Sequence, residues 1–156
     1  MIAQPLMLAD EAATLGLGAR LANVLRAGDV VALSGDLGSG KTTLARGCLA
    51  GLGFAGEVTS PTFTVVQSYD ANTTRVPVLH VDLYRLEGAA DAVELGLDDA
   101  LADHALLIEW PERLGAALWP HALRLGLQAT ADGARRLTAD VPGAWTDRWP
   151  PTPQPS

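Results

Sequence analysis

The sequence predicts an α/β domain built on a mixed β-sheet, and three observations lead to that fold class. Short, wholly apolar segments such as Val30–Leu33 and Ala105–Ile108 are typical of strands buried on both faces. Helical segments alternate with them along the chain, an order that favours a sheet covered by helices. A polar, turn-forming segment at residues 70–74 separates two more strand-like segments, and such a hairpin makes the sheet mixed rather than wholly parallel.

The individual elements follow from periodicity and from local start and stop signals. Asp10 is a candidate N-cap for an amphipathic helix that runs to Leu25 and is ended by Gly28. A second helix is predicted from about Lys41 to Leu52, after a glycine-rich turn. The other predicted elements are hairpin strands Phe63–Tyr69 and Val76–Leu83, a helix Ala89–Leu101 broken near Gly96, a strand Ala105–Ile108, a short helix Pro111–Leu118, and a closing antiparallel pair Leu123–Gln128 and Arg136–Val141.

Length and composition limit the domain organisation and the class of protein. The 156 residues suit one domain, which we place at residues 1–141, followed by a proline-rich tail at 142–156 that we expect to be flexible. Lys and Arg total 11 against 18 Asp and Glu, and the net charge of −7 argues against unaided capture of nucleic acid. We expect a cytoplasmic protein, because no apolar run approaches the roughly 18 residues of a membrane span and the N-terminus lacks a signal-peptide pattern.

A glycine-rich segment matches the phosphate-binding pattern G-x-x-x-x-G-K-[ST], between a buried strand and a helix. The glycines let the backbone curl so that N–H groups converge on phosphate oxygens, and the following helix directs its N-terminus at the same anion. Lys41 is the chain's one lysine beside ten arginines, and we expect it to bind the β- and γ-phosphates while the Thr42 hydroxyl ligates Mg²⁺. The residues of the pattern are Gly35, Asp36, Leu37, Gly38, Ser39, Gly40, Lys41 and Thr42.

Two predicted strands end in a carboxylate, which is where ligands bind in open α/β sheets. Asp82 follows one apolar strand and Glu109 follows another. Because a magnesium–nucleotide site needs such a group, we expect Asp82 on the metal side, and Glu109 either to bind the metal or to orient the attacking water. The alternative for each is a solvated or ion-paired carboxylate at a strand end.

Three further candidates lie close to these residues in the sequence. A hydroxyl in Ser60–Thr62 would reach the γ-phosphate and Mg²⁺ in the triphosphate state, unless the segment is an ordinary Ser-Pro turn. Trp110 adjoins Glu109 and either lies against the nucleotide or a partner, or only packs. His80 shares a strand face with Asp82, and we favour a packed, hydrogen-bonded histidine over one that senses the metal.

Taken together, these segments resemble one family, the small P-loop ATPases of bacterial tRNA threonylcarbamoyladenosine biosynthesis called TsaE, formerly YjeE. They occur in the family's order and spacing between about residues 10 and 128, and the segments beyond the phosphate loop make the resemblance specific. Nothing after Pro142 resembles the family. The matching segments are Gly35–Thr43, Thr59–Phe63, His80–Leu86 and Ile108–Glu112, with Glu94–Leu97 as a further match.

The resemblance implies a three-layer P-loop NTPase fold with a mixed, mainly parallel sheet and a β-hairpin. It implies ATP and Mg²⁺ as cofactors, and weak hydrolysis by the isolated protein. The implied partners are TsaB and TsaD type proteins, a heterodimer that transfers the threonylcarbamoyl group to adenosine 37 of tRNAs reading A-starting codons. The chain is not expected to perform that transfer, to bind tRNA except through the complex, or to bind a membrane; its ATP hydrolysis would reset the transferase between rounds.

The family's functional residues carry over position by position. Residues 35–43, Thr43 included, and Trp110 would bind the nucleotide, and Ser60–Thr62 would act as a switch-like loop. The implied metal ligands are Thr42, Asp82 and Glu109, and the implied catalytic residues are Lys41, Asp82, Glu109 and Thr62.

Three other functions share parts of this pattern. A GTPase needs an Asn-Lys-x-Asp loop to select guanine, and a chain whose one lysine lies in the phosphate loop has none. A small-molecule kinase normally clusters arginines in a lid, whereas those here are scattered apart from Arg135 and Arg136. A non-catalytic nucleotide-sensing adaptor would differ only in turnover. No arginine has an obvious place opposite the phosphate loop, with Arg85 a weak candidate, so we expect slow hydrolysis that a partner stimulates.

Overall fold

The computed structural model describes residues 1–36, 38–58, 66–87 and 89–151. Within these residues the strands join into a single sheet. They are β1 (Leu6–Leu8), β2 (Val30–Ser34), β3 (Val66–Tyr69), β4 (Val78–Asp82), β5 (Ala105–Glu109), β6 (Leu123–Ala129) and β7 (Arg135–Asp140).

The helices that begin at Glu11, Lys41 and Leu97 each follow a capping aspartate or a glycine. The side chain of Asp10 accepts a hydrogen bond from the Ala13 amide at 2.8 Å, as predicted for the first helix. Gly96 has a φ of 69° and starts the second half of the helix predicted to break there. None of the helices in the described ranges has the length and apolar character needed to cross a membrane. The α-helices are α1 (Glu11–Ala22), α2 (Lys41–Gly51), α3 (Ala89–Val93) and α4 (Leu97–Ala100), and 3-10 helices span Pro111–Ala117 and Gly143–Trp145.

The sheet has the order β1-β7-β6-β2-β5-β4-β3. Its centre is parallel, because β2 pairs in parallel with both β5 and β6, and β4 pairs in parallel with β5. Antiparallel pairs complete both edges: the β3–β4 hairpin on one side, and β6–β7 and β7–β1 on the other. The predicted mixed, mainly parallel sheet with a hairpin is confirmed. Strand β1 was not predicted, because three residues are too short for a periodic signal.

Helices cover both faces of the sheet, so the fold has the three predicted layers. Alternate residues of a strand point to opposite faces. Val31 and Leu33 pack into a cluster with α1 and α2, whereas Val30 and Ala32 pack with α3, α4 and the 3-10 helix 111–117. Residues 30–33 of β2 and 105–108 of β5 are therefore apolar and buried on both faces, which is why the sequence shows continuous apolar runs there.

Helices α1 and α2 approach each other closely through two glycines. A Cβ atom added at Gly18 would lie 2.3 Å from the carbonyl oxygen of Leu44, and one at Gly47 would lie 2.3 Å from that of Leu15. A glycine costs a helix about 1 kcal/mol relative to alanine. These two are required here because no larger residue fits between the two backbones.

Residues 142–151 pack on the core, and the expectation of a flexible tail is wrong for them. Trp145 is 0% exposed and joins the same apolar cluster as α1 and α2. The guanidinium of Arg148 donates to both carboxylate oxygens of Asp29, at 2.7 and 3.0 Å. The proline content predicted an extension, but a tryptophan and an arginine in the same segment supply the apolar area and the ion pair that anchor it. Residues 152–156 lie outside the described residues.

Candidate phosphate and metal site at the carboxyl ends of the central strands

Strand register brings the predicted site residues to one end of the sheet. The loop that contains Gly35–Gly40 connects β2 to α2, so Lys41 and Thr42 open the helix. In the parallel pairing, Glu109 lies opposite Leu33 of β2 on one side and Asp82 of β4 on the other. The glycine-rich loop and the two carboxylates therefore lie side by side, as the sequence predicted.

Glu109 points from the sheet towards the first turn of α2. It shares a strand face with Leu107, which packs against the layer formed by α1 and α2. The Oγ1 atom of Thr42 lies 3.1 Å from Oε1 of Glu109 and 3.2 Å from Oε2. Glu109 is 3% exposed, so the hydroxyl replaces water as a donor to a buried carboxylate.

His80 holds the same carboxylate from the β4 side. Its Nε2 atom lies 2.7 Å from Oε2 of Glu109, and the imidazole is fully buried. Towards an ionised carboxylate, which only accepts hydrogen bonds, Nε2 is the donor of this pair. Nδ1 is buried and has no partner among the described residues. The favoured interpretation, a packed and hydrogen-bonded histidine, is confirmed, and its partner is the candidate catalytic glutamate.

Lys41 is buried beneath Trp110. Its Nζ donates to the carbonyl oxygen of Gly35 and lies 3.8 Å from the centre of the Trp110 ring, a cation–π contact. Burial lowers the pKa of Lys41, while the nearby carboxylates, Glu109 first among them, raise it in part. An anion bound in the loop would favour the charged ammonium, so phosphate is a ligand of the right sign.

Trp110 adopts a backbone conformation that bulky residues rarely take. Its φ of 60° and ψ of 50° lie in the left-handed region, at a cost of roughly 1–2 kcal/mol for a residue other than glycine. Its ring also contacts Tyr84, with ring centres 4.9 Å apart. Such strain persists where the surroundings hold a residue in place, and here it turns the indole from the end of β5 onto Lys41.

The loop carries the features of an anion cradle. Gly35 and Gly40 have φ values of 144° and 108°, and a Cβ atom at Gly35 would lie 2.4 Å from the carbonyl oxygen of Leu127. Only glycine fits that position. The Oγ atom of Ser39 is buried and finds no hydrogen-bond partner in the described part of the chain. A buried hydroxyl without a partner at a helix N-terminus fits a ligand rich in oxygen acceptors.

The oxygen donors at this edge fit Mg²⁺. Asp82 is 4% exposed, and its Oδ1 accepts a hydrogen bond from the Tyr84 amide at 2.8 Å. Two carboxylates and the Thr42 hydroxyl suit a hard cation that keeps waters and phosphate oxygens as its other ligands. No group of three or more His, Cys, Asp or Glu side chains suited to a metal ion occurs in the described ranges, so an all-protein metal cage is not found there.

Some of the other predicted site residues lie within the described part of the chain, and some lie outside it. Asp36 and Gly38 lie in the loop, and Thr43 lies in the first turn of α2. Leu37 and the segment Ser60–Thr62, which includes the predicted catalytic Thr62, lie outside the described residues.

Arg135 also lies at the phosphate loop, although it was not predicted from the sequence. This residue starts β7, and its Nη2 atom donates to the carbonyl oxygen of Gly38 at 3.3 Å. The sequence showed no arginine with an obvious place opposite the phosphate loop, and the structure brings Arg135 to Gly38 of that loop. The weak candidate Arg85 is exposed beyond the end of β4. No local signal identifies Arg135, because its position depends on β7 pairing with β6 and on β6 pairing beside β2.

Comparisons with known proteins agree with this fold and indicate the family. A family model described as threonylcarbamoyl adenosine biosynthesis protein TsaE matches residues 8–137. The tRNA threonylcarbamoyladenosine biosynthesis protein TsaE of Streptomyces coelicolor is 46% identical over 138 residues, which cover 85% of this chain and 91% of that protein. The protein of the same name from Mycobacterium tuberculosis is 39% identical, over 80% of this chain and 78% of its own length.

A solved structure is similar over nearly the whole fold. The crystal structure of Bacillus subtilis YdiB superposes with a TM-score of 0.78 at 27% sequence identity, covering 94% of this chain and 91% of that one. The family model spans most of the chain, and the relatives match over most of their own length. This protein therefore belongs to the TsaE family, whose role is in tRNA threonylcarbamoyladenosine biosynthesis.

Proposed function

We propose that this protein binds ATP with Mg²⁺ at residues 35–43 and hydrolyses it slowly by itself. The observation that carries this proposal is the convergence of Lys41, Thr42 and Glu109, with the Thr42 hydroxyl 3.1 Å from the carboxylate and the ammonium inside the loop. A cation, a hydroxyl and a buried carboxylate at the N-terminus of one helix are the groups that phosphoryl transfer to water requires.

Each side chain has a chemical task in this reaction. When nucleotide binds, the Lys41 ammonium would release the Gly35 carbonyl oxygen and contact the β- and γ-phosphates instead. There it stabilises the negative charge that develops on them. Trp110 covers Lys41 and keeps bulk water from the ammonium, which strengthens its attraction for phosphate. Bound Mg²⁺ would neutralise charge on the β- and γ-phosphate oxygens, with Thr42, Asp82 and Glu109 as the residues that hold it.

Glu109 is placed to serve either the metal or the water. Ligands at about 2.0–2.1 Å in an octahedral magnesium site are separated by roughly 2.9 Å. The Thr42–Glu109 distances of 3.1 and 3.2 Å are close to that separation, which supports a role on the metal side. Orientation of the attacking water by the same carboxylate remains the other role that we test below.

We propose that the ATPase acts with a heterodimer of TsaB and TsaD type proteins in the cytoplasm, during threonylcarbamoylation of adenosine 37 in tRNAs that read A-starting codons. The family's role in tRNA threonylcarbamoyladenosine biosynthesis supports this partnership. With a net charge of −7, the chain has little attraction for tRNA by itself, so tRNA contact would come through the complex. In this scheme hydrolysis resets the transferase between rounds.

The test is steady-state phosphate release by the purified protein, titrated first with the heterodimer and then with tRNA. We expect slow release by the protein alone and faster release with the heterodimer. Lys41→Ala removes the loop's cation and should abolish or severely weaken MgATP binding by calorimetry. Met7→Ala, at the exposed position of β1, should leave that binding unchanged. Near-native ATP affinity in Lys41→Ala would remove the central assignment.

The same assay separates the two alternative functions. Transfer of the γ-phosphate to added nucleosides would identify a small-molecule kinase. ATP binding without release or transfer, even with the heterodimer and tRNA, would identify a nucleotide-sensing adaptor. Fast release that the heterodimer does not alter would contradict the partner-dependent mechanism.

Trp110 provides an independent probe of nucleotide binding. Its ring lies on the lysine expected to bind phosphate, so nucleotide should change its fluorescence. Trp110→Phe is the matched control, because Trp119, Trp145 and Trp149 contribute background emission. A nucleotide response that is the same in wild type and Trp110→Phe would place this indole away from the ligand.

A further inference from the structure

A groove with an apolar floor lies between α3–α4 and the 3-10 helix 111–117, on the face of the sheet opposite α1 and α2. Its volume is about 260 Å³, and Leu97, Leu114 and Trp119 are among its lining residues. Val93 stands at its edge with 79% of its surface exposed, although it is a large aliphatic residue. The volume is below the roughly 300–1,000 Å³ of typical small-molecule pockets, so it suits a few protein side chains better than a metabolite.

The walls of this groove are the two chain segments that leave the strands carrying the candidate carboxylates. The segment after Asp82 runs into α3 and α4, and the segment after Glu109 forms helix 111–117. The Nε1 atom of Trp119 donates to Oδ1 of Asp98 at 2.6 Å and joins the two walls. A ligand that changes the spacing of the walls would therefore act on the chain directly connected to both carboxylates.

The two charged side chains that line the groove are both acidic, and the wall formed by helix 111–117 carries one glutamate and one arginine. Residues 87–103 contain six Asp and Glu and no Lys, Arg or His, so this segment has a formal charge of −6 in a chain of net −7. Asp98 and Asp99 line the groove and are exposed. An acidic rim repels nucleic acid, and it also repels a second copy of the same surface across a two-fold axis. It attracts a protein element that carries arginine or lysine beside apolar side chains.

We propose that this groove is the docking surface for a segment of a partner protein, with apolar residues that enter the groove and basic residues that meet its acidic rim. The proposal rests on the proposed function, because the partner is the transferase heterodimer and docking would stimulate hydrolysis through the two walls. It identifies the surface of this chain on which the stimulation acts.

The experiment measures the affinity of the full-length protein for the purified heterodimer by calorimetry with MgATP present. Val93→Arg and Ala117→Arg each place a bulky cation on an exposed position of the groove. Met7→Arg, at the exposed position of β1, is the matched control. We expect the two groove variants to weaken heterodimer binding about tenfold or more, and Met7→Arg to bind as wild type. ATP affinity without heterodimer should stay native in all three, which verifies their fold.

Charge is tested separately. Asp99→Lys should weaken heterodimer binding and reduce its dependence on salt, whereas Asp147→Lys, an exposed carboxylate in the C-terminal segment, should change neither. Sedimentation of the protein alone checks the competing occupant, and self-association that Val93→Arg abolishes would assign the groove to a second copy and overturn the proposal.

Each remaining outcome has a distinct meaning. Native heterodimer affinity in Val93→Arg and Ala117→Arg overturns the docking surface and leaves the proposed ATPase intact. A wild-type protein that binds ATP but does not bind the heterodimer overturns both the partnership and this surface.

Discussion

His80 Nε2 lies 2.7 Å from Oε2 of Glu109, and the two side chains are 0% and 3% exposed. With the Thr42 hydroxyl on the other side, the carboxylate is held between a strand and a helix. Hydrogen bonds that orient a metal-binding or catalytic carboxylate limit the positions it can sample, and their loss usually costs about 10–100-fold in metal affinity or activity. His80 is therefore a positioning residue in the proposed reaction.

Replacement of this histidine should affect turnover more than nucleotide binding. His80→Leu removes the donor to Glu109 and should lower kcat about 10–100-fold, while ATP affinity without Mg²⁺ stays close to native. His80→Gln places an amide nitrogen near the Nε2 position and should recover much of the loss. The measurements are steady-state phosphate release with the heterodimer and calorimetry with and without Mg²⁺. Equal activity in the Leu and Gln variants would show that the hydrogen bond has no role.

The roles of Glu109 and Asp82 can be distinguished by how replacement of each carboxylate changes the affinity for MgATP. If Glu109 holds the metal, Glu109→Gln should lower affinity for MgATP about tenfold or more and leave metal-free ATP binding unchanged. If it orients water, that variant should bind MgATP normally and fail to turn it over. Asp82→Asn is the companion variant, and calorimetry together with phosphate release distinguishes the cases. Native turnover in both variants would exclude the two-carboxylate mechanism.

The C-terminal segment should contribute strongly to stability. Arg148→Ala removes the ion-pair partner of the buried Asp29 carboxylate, which keeps a hydrogen bond from the Arg26 amide at 2.7 Å, and it also removes the donors to the carbonyl oxygens of Val24 and Ala144. We expect it to lower the free energy of unfolding by about 3–5 kcal/mol. Arg136→Ala, an exposed arginine on β7, should change it by less than about 0.5 kcal/mol. Urea denaturation followed by tryptophan fluorescence gives both values. A loss in Arg148→Ala no larger than in the control would mean that residues 142–151 do not stabilise the fold.

The thiol of Cys48 should be unreactive in the native state. Burial raises the pKa of Cys48 to about 12 from an ordinary 9.0, with Arg75 opposing the shift. Between these two pH values the unfolded thiol loses its proton and the native thiol keeps it, so this residue makes stability fall as pH rises, by roughly 1.4 kcal/mol per pH unit. Iodoacetamide at pH 8 should modify the unfolded protein much faster than the native one. Alkaline urea denaturation of wild type and Cys48→Ala should differ by this pH dependence, and identical slopes would contradict it.

Most of the fold and the identity of the central site residues could be predicted from the sequence because they depend on local patterns. The phosphate loop needs its glycines, Lys41 and Thr42 in consecutive order, and the strand before it shows its double burial in its own composition. Asp82 and Glu109 follow apolar strands directly, and parallel strands present their carboxyl ends at one edge. The proximity of these residues was thus predictable before any contact was known.

Tertiary structure alone decided the contacts that depend on pairing between distant segments. The one-to-one register of β4 and β5 directs His80 at Glu109, and β7 reaches the loop with Arg135 only because β6 pairs beside β2. The proline content of the C-terminal segment predicts a flexible extension. In the structure, however, Trp145 of this segment is buried in the apolar cluster that contains residues of α1 and α2. A local pattern states which face of an element is apolar and which residues bear charge. The partner that each face or charge meets is set by the burial and pairing energy of the whole chain, which no short segment contains.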